Sequence, residues 1–312
     1  MAIIEVTNLT KDYGHNRGIF DVSINVEKGE VFGFLGPNGA GKTTTIRHIM
    51  GFSKAQIGEI KISGKDSWKQ SSVLKNELGY LPGELEFPPS MTGNQFISYM
   101  AELRGITDFT KTDELLVKFD LDPSGDLKRM SLGMKRKLAI VTAFMHDPEI
   151  LILDEPTSGL DPLMQERFIE FILEEKERGK TILLSSHIFS EVDATCDRIA
   201  IIKDGVVVST IVADSLKHSE EKVFKVEFKD SNQYNKFINY SSLKIIQKRP
   251  NQNQIKISVS DNNNNKFFSD LSQFDTNFIS EIKFTLEDYF MNFYDRKKSV
   301  EEGNEGLKHG LH

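Results

Sequence analysis

The stretch VFGFLGPNGAGKTTTIRHIM, from Val31 to Met50, decides the fold of this chain. It opens with an apolar run, Val31 to Leu35, that is short enough for a buried strand, and it then passes through a glycine-rich turn. A helix-like segment follows from about residue 42. The turn matches G-x-x-x-x-G-K-[ST], the pattern of a phosphate-binding loop, at Gly36, Gly41, Lys42 and Thr43. The order of strand, glycine turn and helix predicts a nucleotide-binding site.

Each part of this loop suits a phosphate group. Glycines let the backbone come close enough for successive N–H groups to point at phosphate oxygens, and the helix N-terminus adds partial positive charge. We expect Lys42 to reach the β- and γ-phosphates and the Thr43 hydroxyl to bind Mg²⁺. The alternative, a flexible turn with a solvated lysine, is disfavoured by the strand before the turn and the helix after it. The expected nucleotide-binding residues of the loop are Gly36, Pro37, Asn38, Gly39, Ala40, Gly41, Lys42, Thr43 and Thr44.

Length and composition describe an ordinary folded protein. The 312 residues are enough for about two domains, and a hydrophobic fraction of 38% can supply a sizeable core. The net charge is -7 and the isoelectric point is near 5.6, so the chain lacks the overall basic surface that extended nucleic-acid binding requires. We therefore expect no nucleic-acid partner.

The single cysteine and the lack of long apolar runs indicate a reducing, non-secreted location. Cys196 cannot form an intramolecular disulfide and lies in no zinc-binding pattern, so its expected role is packing. No apolar run approaches the ~20 residues of a membrane-spanning helix, and the N-terminus does not resemble a secretory signal. We expect a soluble, cytoplasmic chain.

Two further predicted strands end in polar residues that could bind a metal or take part in a reaction. The apolar run Ile150 to Leu153 ends in Asp154 and Glu155, and a similar run from Thr181 ends at His187. In parallel α/β sheets, ligands bind beyond the carboxyl ends of the strands. We therefore expect Asp154 to hold Mg²⁺ through water, Glu155 to face the attacking water, and His187 to contact a γ-phosphate. The alternatives are an acidic loop without function and a structural histidine.

Other segments complete the first domain. Gly58 and Gly64 bound an alternating strand that we expect to pair with two N-terminal strands near residues 3–6 and 22–26. Ser90 or Thr92 is expected to cap a helix. The apolar residues of that helix, at spacing that predicts one buried face, are Phe96, Ile97, Met100 and Leu103. Tyr13 could stack on an adenine or cover a sheet edge, and both interpretations stay open.

The segment Met130-Ser131-Leu132-Gly133-Met134 precedes three consecutive basic residues, Lys135, Arg136 and Lys137. Taken alone, this pattern predicts a helix capped by Ser131 with a solvated basic face. The phosphate loop and the acidic strand end elsewhere in the chain favour a functional role instead.

Across roughly residues 2–213 the chain resembles the nucleotide-binding subunits of ABC transporters. Gly36 to Thr44 resembles the Walker A loop, Ile150 to Glu155 the Walker B strand, and Ser158 to Asp161 the D-loop. His187 resembles the switch histidine and Tyr13 the adenine-stacking aromatic. The signature segment keeps Ser131 and Gly133, and its form S-L-G-M-K is similar to the type 2 drug and antibiotic exporters.

The resemblance implies an ATPase that works in pairs. The expected dimer is head-to-tail, with ATP and Mg²⁺ between the phosphate loop of one subunit and Ser131 and Gly133 of the other. It implies a homodimer or a pair with a similar subunit, placed peripherally on the inner face of the cell membrane, that powers export through separate membrane-spanning subunits. Within this expectation Lys42, Glu155 and His187 are catalytic, and Thr43 and Asp154 hold the metal. The alternatives are a soluble ABC-type ATPase acting on DNA or ribosomes and a non-hydrolysing, ATP-dependent dimerisation module.

One position departs from the family pattern. Gly83, after Tyr80-Leu81-Pro82, stands where most members carry the Q-loop glutamine. Glycine has no side chain to touch Mg²⁺ or water, and Glu84 is the nearest substitute. Whether Glu84 replaces that glutamine stays open.

The expected architecture is α/β. It comprises a P-loop NTPase core over residues 1–215, with an antiparallel β subdomain and a helical subdomain at about 88–147. Residues 219–295 have the order β-α-β-β-α-β, which suggests a small ferredoxin-like α+β domain. Residues 297–312 are charged, lack periodicity and are expected to be disordered.

Overall fold

A computed structural model of the chain describes residues 2–217, 221–282 and 285–291. The chain forms two compact units, Met1–Ala213 and Asp214–His312, and each has its own hydrophobic core. Within the described residues, no helix combines the length and the apolar character needed to cross a membrane.

The first unit contains ten strands and most of the helices among its described residues. Its strands are β1 Ala2–Asp12, β2 Gly18–Glu27, β3 Val31–Leu35, β4 Ile57–Ile62, β5 Lys65–Asp66, β6 Leu78–Leu81, β7 Ile150–Asp154, β8 Thr181–Ser186, β9 Arg198–Lys203 and β10 Val206–Val212. The helices are α1 Lys42–Ile49, α2 Ser71–Glu77, α3 Gly93–Arg104, α4 Thr110–Lys118, α5 Leu132–Phe144, α6 Pro162–Glu177, α7 Phe189–Thr195 and, at the boundary with the second unit, α8 Ala213–Lys217.

A six-stranded sheet organises this unit in the order β10-β9-β3-β8-β7-β6. The pairs from β9 to β6 are parallel, and β10 is antiparallel to β9. Every residue of β3, β7 and β8 is buried, as expected for parallel strands covered on both faces. The strand predicted from Val31 to Leu35 is confirmed at both ends, and its carboxyl end leads directly into the glycine-rich turn.

A second, antiparallel sheet has the order β2-β1-β4-β5. The predicted pairing of the glycine-bounded strand is confirmed for the first N-terminal strand, for example by Val6 opposite Ile60, whereas the strand predicted at residues 22–26 pairs with the other edge of β1. Ile4, Val6 and Ile62 belong to the same buried cluster as Phe32 and Phe34 of β3. The antiparallel sheet therefore covers one face of the parallel sheet.

The opposite face of β3 is closed by α7. A Cβ atom on Gly33 would lie 2.8 Å from Val192 Cγ1 and 2.9 Å from Cys196 Sγ, so the backbone of β3 approaches these side chains closely. Cys196 is a buried free thiol, which confirms its predicted packing role. Burial raises the pKa of this thiol to about 12 and keeps it protonated.

The apolar face predicted for α3 is wrong in part. In α3 the buried positions are Gly93, Ile97 and Ala101, whereas Leu103 is 59% exposed. Positions four apart share a helix face, and Leu103 lies six residues after Ile97, on another side. In α5 the basic run is not uniformly solvated, because Arg136 is buried with 2% exposure.

The second unit contains a four-stranded antiparallel sheet in the order β12-β13-β11-β14. Its elements are β11 Glu221–Phe228, α9 Ser231–Tyr240, β12 Lys244–Arg249, β13 Gln254–Ser260, α10 Asn264–Leu271 and β14 Thr276–Ile282. This order of elements and strands is ferredoxin-like, and Phe228, Phe237 and Phe267 lie in its core. The last two residues of the strand predicted at 278–284, and the tail 297–312, lie outside the described residues.

Candidate active site

The carboxyl ends of three parallel strands bring the expected catalytic residues together. Lys42 follows the loop after β3, Glu155 follows β7, and His187 follows β8. Lys42 Nζ lies 3.0 Å from Glu155 Oε1, and His187 Nδ1 lies 3.1 Å from Glu155 Oε2. Residues far apart in sequence thus meet at one sheet edge, with the glutamate carboxylate between two groups that can carry positive charge.

The phosphate loop wraps closely around the Lys42 side chain. Its Nζ donates hydrogen bonds to the carbonyls of Gly36 at 2.6 Å and Pro37 at 3.2 Å, and the residue is only 4% exposed. Gly41 caps α1 with φ 110°, a conformation that residues with a Cβ rarely adopt, and that Cβ would lie 2.7 Å from Ile19 Cγ2. No side chain caps α1, so its first N–H groups are available to an anion.

The other loop residues form one continuous turn. The Ala40 N–H donates to the Pro37 carbonyl at 3.1 Å, and the Gly205 N–H donates to the Ala40 carbonyl at 2.9 Å. These bonds anchor the buried side of the loop, whereas Asn38, Gly39 and Thr43 are exposed on its open side. The exposed side offers the loop backbone and the Thr43 hydroxyl to a ligand.

Asp154 is a buried carboxylate with one oxygen free of protein hydrogen bonds. It is 0% exposed, and its Oδ1 accepts a hydrogen bond from Ser185 Oγ. Its Oδ2 has no hydrogen-bond partner among the described residues. Burial raises the pKa of Asp154, and the Ser185 and Thr43 hydroxyls oppose this rise by favouring the ionised form. An unpartnered buried carboxylate oxygen near a threonine hydroxyl fits a hard cation such as Mg²⁺.

This site does not form a complete metal cage from protein side chains. The described part of the chain holds no cluster of three or more His, Cys, Asp or Glu side chains suited to a metal. Mg²⁺ is commonly bound by one or two protein groups together with waters and substrate phosphates. Asp154 and Thr43 are therefore sufficient protein ligands only if a phosphate binds as well.

Glu155 has an unusual backbone conformation. Its φ of 48° lies in the left-handed region, which non-glycine residues seldom occupy and which is frequent at functional sites. Its N–H donates to the Ser185 carbonyl at 3.0 Å, and its own carbonyl accepts from the Ser158 N–H at 3.1 Å. These bonds hold the turn that directs the side chain towards Lys42 and His187.

Glu191, on α7, is a residue that sequence reasoning missed. It is buried, accepts a hydrogen bond from Ser186 Oγ, and interacts with the Thr157 hydroxyl. Burial raises its pKa to about 7. The available signal was a glutamate one helical turn after His187. Glu191 thus connects the segments that follow β7 and β8.

Tyr13 and Ser131 are both exposed at the surface of the first unit. Tyr13 follows β1 and is 58% exposed, so its ring is accessible to a ligand. Ser131 caps α5 as predicted, accepting a hydrogen bond from the Met134 N–H at 3.2 Å. A Cβ on Gly133 would lie 3.1 Å from the Gly159 carbonyl oxygen. The start of α5 therefore contacts residue 159 of its own chain.

The departure at Gly83 lies directly beside Asp154. A Cβ on Gly83 would be 3.0 Å from Asp154 Oδ2 and 3.2 Å from its Cγ. Glu84 is exposed. Because Gly83 has no side chain, its backbone can approach the Asp154 carboxylate closely. The side chain of Glu84 is not buried against that carboxylate.

Comparison with known proteins identifies the family. The profile described as ABC transporter matches residues 19–158. Bacitracin transport ATP-binding protein BcrA of Bacillus licheniformis is 38% identical over 236 residues, which cover 74% of this chain and 76% of that protein. This chain belongs to the ABC transporter ATP-binding proteins. Linearmycin resistance ATP-binding protein LnrL of Bacillus subtilis (strain 168) is 34% identical over 212 residues, covering 66% of this chain and 68% of LnrL.

A solved structure agrees with this assignment. The one described as the ATP binding subunit of an ABC transporter superposes with a TM-score of 0.63 at 32% identity, covering 69% of this chain and 92% of that chain. As an ABC transporter ATP-binding protein, the chain binds and hydrolyses ATP and works with membrane-spanning subunits. The resemblance inferred from the motifs is confirmed.

Proposed function

We propose that this chain is the ATPase subunit of a type 2 drug or antibiotic exporter. The S-L-G-M-K signature supports this subfamily, as do the bacitracin transport and linearmycin resistance proteins among its relatives. The observation that carries the catalytic part is the contact of Glu155 with both Lys42 and His187 at the end of the parallel sheet.

The proposed reaction is phosphoryl transfer from ATP to water. The loop N–H groups and Lys42 stabilise phosphate charge, so the phosphates compete with Glu155 for the lysine ammonium. Glu155, once released from Lys42, accepts a hydrogen bond and then the proton from the attacking water. His187 orients the γ-phosphate and keeps the Glu155 carboxylate in place through its ring nitrogen. Tyr13 stacks on the adenine, for which its exposure leaves the ring accessible.

Mg²⁺ is the proposed metal, held by Thr43 and Asp154. The unpartnered Asp154 Oδ2 and the exposed Thr43 support this choice. When bound, the ion neutralises charge on the phosphates.

ATP binding is proposed to join two subunits head-to-tail, either as a homodimer or with a similar subunit. Ser131 and Gly133 of one subunit then contact ATP held by the phosphate loop of the other, because a helix start presents N–H donors to an anion. Loss of the γ-phosphate removes the anion that holds the two surfaces together. We place this dimer in the cytoplasm, peripheral on the inner face of the membrane, where ATP and the membrane-spanning subunits are both accessible.

Replacing Glu155 with glutamine tests the catalytic assignment. Glu155→Gln should bind ATP normally but lose at least about 100-fold in phosphate release, because an amide cannot accept the proton of the water. ATP should then hold the variant as a stable dimer, measured by light scattering. Glu149→Gln is the matched control, since Glu149 is exposed at the other end of β7. A Glu155→Gln protein that hydrolyses ATP at the wild-type rate contradicts the assignment.

Co-purification tests the transport assignment. The tagged chain, isolated from detergent-solubilised membranes of its own host, should retain a multi-spanning membrane protein that mass spectrometry identifies. Recovery with ribosomes or DNA instead would support the soluble ABC-type alternative.

A further inference from the structure

Arg136 is a buried cation that the proposed mechanism does not use. Its guanidinium donates hydrogen bonds to three backbone carbonyls, those of Pro82 at 2.8 Å, Gly83 at 2.7 Å and Ser158 at 3.0 Å. Only 2% of the residue is exposed, so its charge is removed from water and needs such partners. One planar group therefore joins α5 to the loop after β6 and to the loop after β7.

Both of these loops touch the acidic residues of the active site. Gly83 lies against Asp154, since a Cβ there would be 3.0 Å from Oδ2. The Ser158 N–H donates to the Glu155 carbonyl at 3.1 Å. Burial lowers the pKa of Arg136, and the charges of Asp154 and Glu155 oppose this, as expected for a cation close to both carboxylates.

The other end of the connection is the start of α5. Arg136 lies in the second turn of the helix that Ser131 caps. Near that cap, Gly133 and Gly159 approach closely, and a Cβ on Gly159 would lie 2.8 Å from the Leu132 side chain. A displacement of the helix start would therefore be passed to residues 158–159 by contact and to residues 82–83 through the guanidinium.

We propose that Arg136 is a positioning residue that couples the helix start carrying Ser131 and Gly133 to Asp154 and Glu155 of the same subunit. Gly83 has no side chain that could reach Asp154. The bond from Arg136 to the Gly83 carbonyl instead connects α5 to the backbone beside that carboxylate. This inference rests on the proposed ATP sandwich, in which Ser131 contacts ATP of the partner. Each subunit then adjusts its own catalytic carboxylates when its signature segment engages the ATP on the other side.

Arginine suits this role better than lysine. Its rigid fork of N–H groups can serve several carbonyl oxygens in fixed directions, whereas lysine presents a single ammonium on a flexible stem. Arg136→Lys should therefore keep the charge but lose the connection. Lys135→Gln is a matched control for Arg136→Gln, because the neighbouring residue loses the same charge and has only partial burial.

Mixed dimers can separate the two directions in which Arg136 could act. A Glu155→Gln chain, which should bind ATP without hydrolysing it, is paired with a chain carrying wild-type Glu155, so that ATP is bound on both sides and one site hydrolyses it. Arg136→Gln is placed either on the chain that supplies Lys42 and Glu155 to that site, or on the chain that supplies Ser131. We expect kcat to fall about tenfold in the first arrangement, relative to the dimer without this change, and Lys135→Gln to stay within about twofold. Arg136→Lys should behave like Arg136→Gln.

Loss only when Arg136→Gln lies on the chain that supplies Ser131 would mean that Arg136 merely supports the signature helix, and would overturn the proposal. The second measurement needs no hydrolysis: amide hydrogen exchange of residues 83–86 should become severalfold faster in Arg136→Gln and Arg136→Lys, but not in Lys135→Gln. Unchanged exchange in the Arg136 variants also overturns it. If the wild-type chain neither dimerises on ATP nor hydrolyses it, the proposed function is contradicted instead. The hydrogen-exchange result would still test the Arg136 contacts.

Discussion

At the scale of single residues, the site depends on side chains whose environment differs from that of a typical polar residue. Lys42 is held inside the loop by two carbonyls, and Asp154 keeps an unpartnered oxygen in a buried position. A neutral hydrogen-bonded network would be more stable than such an arrangement, because each unpaired buried polar atom costs free energy. The unpaired and partly paired groups are therefore available to bind phosphate and metal.

Glu191 predicts a pH-dependent stability. Its folded-state pKa is raised to about 7 from a usual value of 4.5. The unfolded carboxyl therefore ionises first as pH rises, and stability is lost between about pH 4.5 and 7. In Glu191→Gln this loss should disappear. Between about pH 4.5 and 7, the free energy of unfolding of the wild type should fall by roughly 1–3 kcal/mol more than that of the variant. Urea denaturation at several pH values measures the difference.

The control for this experiment is Asp193→Asn, on the same helix and less buried. It should follow the wild-type pH dependence. Parallel curves for Glu191→Gln and the wild type would show that Glu191 ionises normally in the folded chain.

Glu84 is predicted to be dispensable for the metal. Because it is exposed, its carboxylate should add little to the binding of a cation. The Mg²⁺ concentration that gives half-maximal ATPase activity should be the same in Glu84→Ala, Glu86→Ala and the wild type. A raised value in Glu84→Ala alone would restore the interpretation that Glu84 substitutes for the missing glutamine.

At the scale of elements, local signals set where helices begin. Thr92 caps α3 with a reciprocal pair of bonds: its hydroxyl accepts from the Gln95 N–H at 3.2 Å, and the Gln95 side chain accepts from the Thr92 N–H at 2.9 Å. Of the two caps that the sequence allowed, Ser90 and Thr92, the structure selects Thr92. Gln95, three residues after Thr92, explains the choice, because its side chain completes a capping box.

Removing this cap should destabilise the unit measurably. Thr92→Ala is expected to lower the free energy of unfolding by about 1 kcal/mol, the usual cost of losing an N-cap. Ser90→Ala, at an exposed position before the helix, should change it by less than about 0.5 kcal/mol. Equal effects of the two changes in chemical denaturation would contradict the assignment of the cap.

At the scale of the whole molecule, the phosphate loop and the signature segment belong to one unit, Met1–Ala213, yet they are proposed to serve different ATP molecules. The contacts described for the first two turns of α5 include residues 82–83 and 158–159 of its own chain and no residue of the phosphate loop. A second subunit is the proposed source of the missing half of each site.

Complementation between two inactive variants tests this arrangement. A Ser131→Arg chain lacks a working signature and a Lys42→Ala chain lacks a working phosphate loop, so each should be inactive alone. Mixed dimers should recover one complete site, and phosphate release from the mixture should clearly exceed that of either variant. Two conditions must hold for this test: heterodimers are measured in the mixture, and a single intact site is active in a pair of Lys42→Ala and wild-type chains. Under these conditions, a lack of recovery would rule out the sandwich.

The sequence by itself determined the parallel strands and the phosphate loop, and it pointed to the side chains that are proposed to be catalytic. Apolar runs such as Val31–Leu35 and Ile150–Leu153 can be satisfied only by burial on both faces, and the glycine pattern before Lys42 suits only a tight loop. These signals are local, because they depend on residues a few positions apart. The β-α-β-β-α-β order of the second unit was readable for the same reason.

Tertiary structure alone decided which side chains are buried and what they touch. Nothing near Arg136 in sequence distinguishes it from its basic neighbours, yet it is buried because two distant loops supply carbonyls to its guanidinium. The same holds for Glu191, whose partners are Ser186 at the end of β8 and Thr157 after β7, and for Leu103, whose exposure reflects the face that α3 turns to the core. Burial is a property of the assembled layers, since the free energy of removing a group from water depends on every element packed around it.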